Sequence, residues 1–99
     1  MGFQFEWDRV KEAENLKKHG VPFREAMSAF LDPRSVTIHD PMHSRVEDRF
    51  VLLGMSIRRR LLVVVHADRG ERIRLISARV ATRHERKAYE EGEEDRWPV

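Results

Sequence analysis

The 99-residue chain predicts an α+β fold: an N-terminal strand, two helices packed on an antiparallel sheet of about four to five strands, and a C-terminal helix. Three observations predict it. The hydrophobic period runs from two to 3.6 and back to two along the chain. Three apolar runs in the second half are separated by turn-length segments. The last of them leads into a capping box and a glycine stop. A chain of this length can bury one core without disulfides or metal, so residues 1–99 read as a single domain, with residues 91–99 as a flexible acidic tail.

Phe3, Phe5 and Trp7 alternate with Gln4 and Glu6, as in a short strand with one buried face. Asp8 reads as an N-cap, and Val10, Ala13 and Leu16 give the following helix a thin apolar stripe. That helix closes on Lys17, Lys18, His19 and Gly20, cations and then glycine. After Pro22, Phe23, Ala26, Met27 and Phe30 fall at i, i+3, i+4 and i+7, so a second helix buries that face until Asp32 and Pro33 end it. Val36 and Ile38 restore the period of two, and Pro41 to Ser44 form a loop. Glu47 to Met55, Leu61 to Ala67 and Arg72 to Ala78 then form a meander. The middle run, LLVVVHA, is apolar on both faces and belongs at the centre of a sheet covered on each side, the second cover being the C-terminal helix or a partner protein. Thr82 and Glu85 make the capping box of that helix, which runs to Gly92. Its apolar side holds little beyond Ala81, Ala88 and Tyr89, so loose packing is expected.

Charge is unevenly distributed. The net value is +2, yet residues 1–50 carry 8 basic and 9 acidic side chains, residues 51–90 carry 10 and 4, and residues 91–99 carry 1 and 4. Arg72, Arg74, Arg79, Arg83, Arg86 and Lys87 are opposed within their run only by Glu85, a density suited to a polyanion as well as to a solvated helix face. With no cysteine there is no disulfide framework, thiolate site or cysteine nucleophile. No apolar run approaches the length of a membrane span, and MGFQFEWD lacks a signal pattern, so the expected location is the cytoplasm.

No metal is expected, because His39 and His43 straddle Asp40 and Pro41 and align on no helical face. Phosphate loops, nucleophile elbows and dinucleotide fingerprints are absent too. What remains is the inventory for cleaving RNA, whose 2′-OH is its own nucleophile: the protein must supply positioning, a proton acceptor, a donor and positive charge. Glu47 and Arg49 are two apart on a predicted strand and share a face, and His66 lies on the strand expected to pair with theirs. A same-strand ion pair accounts equally for Glu47 and Arg49, and a half-buried core position for His66. Lys17 and His19 fit the helix dipole without any further role. Tyr89 can stack on a base, donate a proton or anchor the last helix.

The order and spacing of FEWD (5–8), KHGV (18–21), FREAMSAFLDP (23–33), EDRFVLLG (47–54), LLVVVHADRG (61–70) and RIRLISARVATRHERKAYEEG (72–92) resemble the BrnT-type toxins of bacterial type II toxin-antitoxin systems. The chain departs from that pattern in Pro22 at the second helix's N-cap and in a glycine-free IRRR turn at Ile57 to Arg60. The resemblance implies a RelE-like fold, a metal-independent endoribonuclease without cofactor that arrests growth, and a BrnA-type antitoxin with a ribbon-helix-helix portion through which the complex reaches operator DNA. It also directs attention to Glu47, Arg49, His66 and Arg79 as catalytic candidates, and to Arg72, Arg74, Arg83, Tyr89, Lys17 and His19 as RNA contacts. A non-catalytic module that binds nucleic acid or a partner is the alternative.

Overall fold

The computed structural model describes residues 4–40 and 47–92. Phe3, His43, the 41–44 loop and tail residues 93–99 lie outside them. The elements follow the order β1 (Gln4–Glu6), α1 (Arg9–His19), α2 (Phe23–Ser28) with a 3₁₀ turn (Ala29–Leu31), β2 (Val36–His39), β3 (Arg49–Met55), β4 (Leu61–Arg69), β5 (Arg72–Val80) and α3 (Arg83–Glu91). The sheet order is β1-β5-β4-β3-β2. Strands β2 to β5 pair antiparallel as expected. β1 joins parallel to β5 at Arg72–Arg74, which makes the sheet mixed.

The ends of the helices obey local chemistry. Asp8 accepts hydrogen bonds from the backbone N–H groups of Val10 and Lys11, and Gly20 closes α1 at φ 70°. Thr82 and Glu85 satisfy each other's backbone N–H groups at the start of α3, and Gly92 closes it at φ 70°. Gly54 marks a close approach: a Cβ there would stand 2.8 Å from the carbonyl oxygen of Ala29, so only glycine lets β3 pass beneath the 3₁₀ turn.

Two cores lie on either side of β4, which explains its apolar run. On the inner face, Val21, Phe23, Ala26 and Ala29 pack on Leu52, Leu62, Val64, Leu75 and Ala78. On the outer face, Ala88 and Tyr89 of α3 pack on Leu53, Leu61 and Val63. Full burial of each large side chain contributes about 1.5–3 kcal/mol.

Helix α1 docks differently from expectation. Val10 is 66% exposed and Leu16 48%, so the predicted apolar stripe faces solvent. The buried residue is Asn15, whose amide donates to Ala78 O (2.9 Å) and Val21 O (3.0 Å) and accepts from Ala78 N (3.0 Å). The cause is the short β1. Beyond Arg74 the edge of β5 has no strand partner, and Asn15 satisfies the backbone polar groups of Ala78 that burial would otherwise orphan.

Helix α3 is likewise held by polar contacts where loose apolar packing was expected. Arg79 Nη1 and Nη2 donate to Glu85 Oε1 and Oε2 at 2.9 and 3.0 Å. The Tyr89 hydroxyl donates to Asp32, which also accepts the Met55 N–H at 2.8 Å. A third polar knot, Glu25 with Arg60 and Ser56, ties α2 to the β3–β4 turn, and Arg60 reaches on to Gly20 O at the end of α1.

Candidate functional site

The open part of the outer face is built by strand register. Arg49 of β3 stands opposite Ala67 of β4, Ala67 opposite Arg74 of β5, and Arg74 opposite Glu6 of β1. Residues opposite one another in a sheet share a face, so Arg49 and Arg74 flank fully buried Ala67 with backbones about 10 Å apart. The next row sets Arg69 opposite Arg72, and Arg72 opposite Gln4. Four arginines thus occupy two adjacent rows at the end of the sheet that α3 leaves open.

Two carboxylates hold this cluster. Glu47 lies just before β3, which starts at Arg49, and its Oε2 is 3.7 Å from Arg74 Nη1. Glu6 meets Arg69 at 3.6 Å and Arg72 at 3.5 Å. These are long, half-exposed pairs of the kind that contribute little stability and that a phosphate can displace. They contrast with the bidentate Arg79–Glu85 pair, in which Glu85 is buried and also accepts from Thr82 N at 2.8 Å.

The other candidates are dispersed. His66 stands opposite Phe50 and Leu75 on the inner face, buried between the rings of Phe30 (centroids 4.9 Å apart) and Phe50 (5.8 Å). Burial pushes its pKa down, so it stays neutral through most of the physiological range. It is not beside Glu47 and Arg49 on the arginine-bearing face. Arg79 lies toward α3, roughly 13 Å along the sheet from the Arg49–Arg74 row, with its guanidinium committed to Glu85. Tyr89 is buried under the Arg34 guanidinium, 5.2 Å from its ring centroid, and anchors α3. Arg83 is exposed at the first turn of α3. Lys17 and His19 belong to the last turn of α1, which packs against the edge of β5 rather than among the arginines.

Residues 7–85 match the family model described as "Ribonuclease toxin, BrnT, of type II toxin-antitoxin system". The chain belongs to the BrnT family. A solved structure, the Brucella abortus ribonuclease toxin BrnT, is similar in fold: TM-score 0.62, with 23% identity over 82% of this chain and 99% of that one. No curated protein sequence matches the chain. Membership in the BrnT family implies an RNA substrate and an antitoxin partner. Among the described residues no group of histidine, aspartate or glutamate could hold a metal ion, and no helix is long and apolar enough to cross a membrane.

Against this BrnT background, two residues of the open face went unread in the sequence. Arg69 lies in the turn-length segment between the second and third apolar runs of the sequence, yet β4 runs through it. Glu6 was simply the polar side of the first strand, and its parallel pairing with a strand more than sixty residues away leaves no local signal.

Proposed function

We propose that this chain is the toxin of a type II system and a metal-independent endoribonuclease. It acts in the cytoplasm and is neutralised by a BrnA-type antitoxin whose ribbon-helix-helix portion carries the complex to operator DNA. The observation that supports the chemistry best is the Arg49–Ala67–Arg74 row with the Glu47 carboxylate beside it. A phosphodiester set over this row, above the side chains that cover Ala67, has a guanidinium on each side to neutralise charge developing on the phosphorane. Arg69 and Arg72 in the adjacent row suit the next phosphate along the strand. Glu47 is the proposed acceptor of the ribose 2′-OH proton. Attack of that oxygen on phosphorus breaks the P–O5′ bond, and the departing O5′ takes a proton from solvent water, which leaves a 2′,3′-cyclic phosphate and a 5′-hydroxyl. The 3.7 Å contact with Arg74 holds the Glu47 carboxylate beside the row until substrate separates the two. Arg79 acts at one remove, through its hold on α3, with Arg83 beside it on the exposed first turn of that helix.

The test is incubation of antitoxin-free protein with single-stranded RNA in the presence of chelator. Fragments ending in 2′,3′-cyclic phosphate are expected, with Glu47→Gln and Arg74→Ala each slowing cleavage about 100-fold or more while the protein remains folded. RNA that is bound but left intact by the wild-type chain would favour a non-catalytic binding module.

A further inference from the structure

Ser77 lies three residues along β5 from Arg74 and stands opposite Val65. It also lines a cleft of about 200 Å³ between α1 and the edge of β5, walled by Lys11, Glu14, Asn15, Lys18, His19 and Ile76. The cleft exists because β1 stops pairing at Arg74 and because the β4–β5 register shifts at Val65/His66, which leaves Ile76 without an opposite residue. Lys11, Asn15 and Lys18 are spaced i, i+4, i+7, so α1 turns one face to this edge. Asn15 is spent on Ala78 and Val21, but neither lysine side chain has an ion-pair partner among the described residues. Arg60 and Arg79, by comparison, are locked to carboxylates. Glu14 is the single acidic residue in the wall, set against two lysines and a histidine.

We propose that this cleft is a second phosphate-binding site for the same RNA strand: the backbone leaves the arginine rows, crosses the open edge of β5 at Ser77, and sets a flanking phosphate between Lys11 and Lys18. The cleft is shallow and cationic, and it adjoins the arginine face through Ser77, about 10 Å along the strand from Arg74. That geometry suits a continuing nucleic-acid strand. The proposal rests on the ribonuclease reading, and it adds that substrate length matters.

The experiment compares wild-type protein with Lys11→Ala/Lys18→Ala on a dinucleotide and on a longer single-stranded RNA. It follows cleavage and, by fluorescence anisotropy, binding across a salt series. Circular dichroism verifies folding, and Arg9→Ala/Arg24→Ala removes the same charge from exposed positions outside the cleft. Cleavage of the dinucleotide is expected to be unchanged, while KM and Kd for the longer RNA rise about tenfold. The magnitude of the slope of log affinity against log salt should fall by about 0.7, one single-strand phosphate contact. Equal affinity and slope for the cleft variant and wild type on the longer RNA would overturn the proposal, as would an equal loss in the control pair. Wild-type protein that cuts neither substrate would defeat the ribonuclease reading alone, because the binding series still decides the cleft.

Discussion

Tyr89 keeps its proton in a range where an exposed phenol has lost it: burial, and then its hydrogen bond to the Asp32 carboxylate, push its pKa up to about 12. A folded-state value above the unfolded one contributes stability that is fully present below the unfolded pKa near 10 and is lost as pH rises toward 12. Denaturation midpoints should therefore fall between those limits, and Tyr89→Phe, which has no proton to lose, should flatten the decline. Asp32 is the complementary half. Burial alone would raise its pKa, but hydrogen bonds from Tyr89, Met55 N and Arg34 N hold it below the ordinary value. His66 shows the opposite sign from Tyr89. Burial depresses its pKa below 6.5, so its contribution is present above that value and is lost as pH falls toward the depressed one. His66→Leu should reduce the acid-side loss of stability and leave RNA cleavage within about twofold of wild type, since the ring lies on the face away from the arginines. A loss of cleavage in a folded His66→Leu protein would bring that histidine back into the chemistry.

At the scale of elements, the features legible in the sequence were those that a few neighbouring residues decide. Asp8, Gly20, Thr82, Glu85 and Gly92 mark helix ends because capping is local, and LLVVVHA identified itself as a central strand by its composition. The faces of the strands were less legible. Whether His66 lies with Arg49 or behind it depends on register, and a shift of one residue reverses the answer: Arg49 meets Ala67, which sends His66 inward with Phe50. Helix α1 misled for a related reason. Its apolar residues mark no buried face, because what it docks against is an unpaired backbone edge that calls for an amide. Asn15→Ala should cost about 3 kcal/mol by leaving the polar groups of Ala78 and the carbonyl of Val21 unsatisfied. Urea denaturation measures the loss, and faster amide exchange at Ala78 would locate it at the β5 edge.

For the whole molecule, a net charge of +2 conceals a division of labour among its arginines. Arg60 and Arg79 are bound to buried carboxylates and hold elements together, whereas Arg49, Arg69, Arg72 and Arg74 share the open end of the sheet. Composition could show the density of arginine but not this division, which depends on where Glu25 and Glu85 fold. The two phosphates proposed for the arginine rows correspond to a slope of about −1.4 in log affinity against log salt for single-stranded RNA, measured on a substrate too short to reach the α1 cleft. A slope near zero would mean that Arg69, Arg72 and Arg74 remain with Glu6 and Glu47 when RNA is present.

The parallel pairing of β1 with β5 also sets an order of assembly during synthesis. Glu6 leaves the ribosome early, but Arg69, Arg72 and Arg74 follow more than sixty residues later, and β1 has no strand to join before them. Contacts so distant in sequence form slowly and late. A nascent chain therefore carries the separate pieces of the proposed phosphate-binding surface without the surface itself, and that surface forms only once β5 has been made and joined to β1.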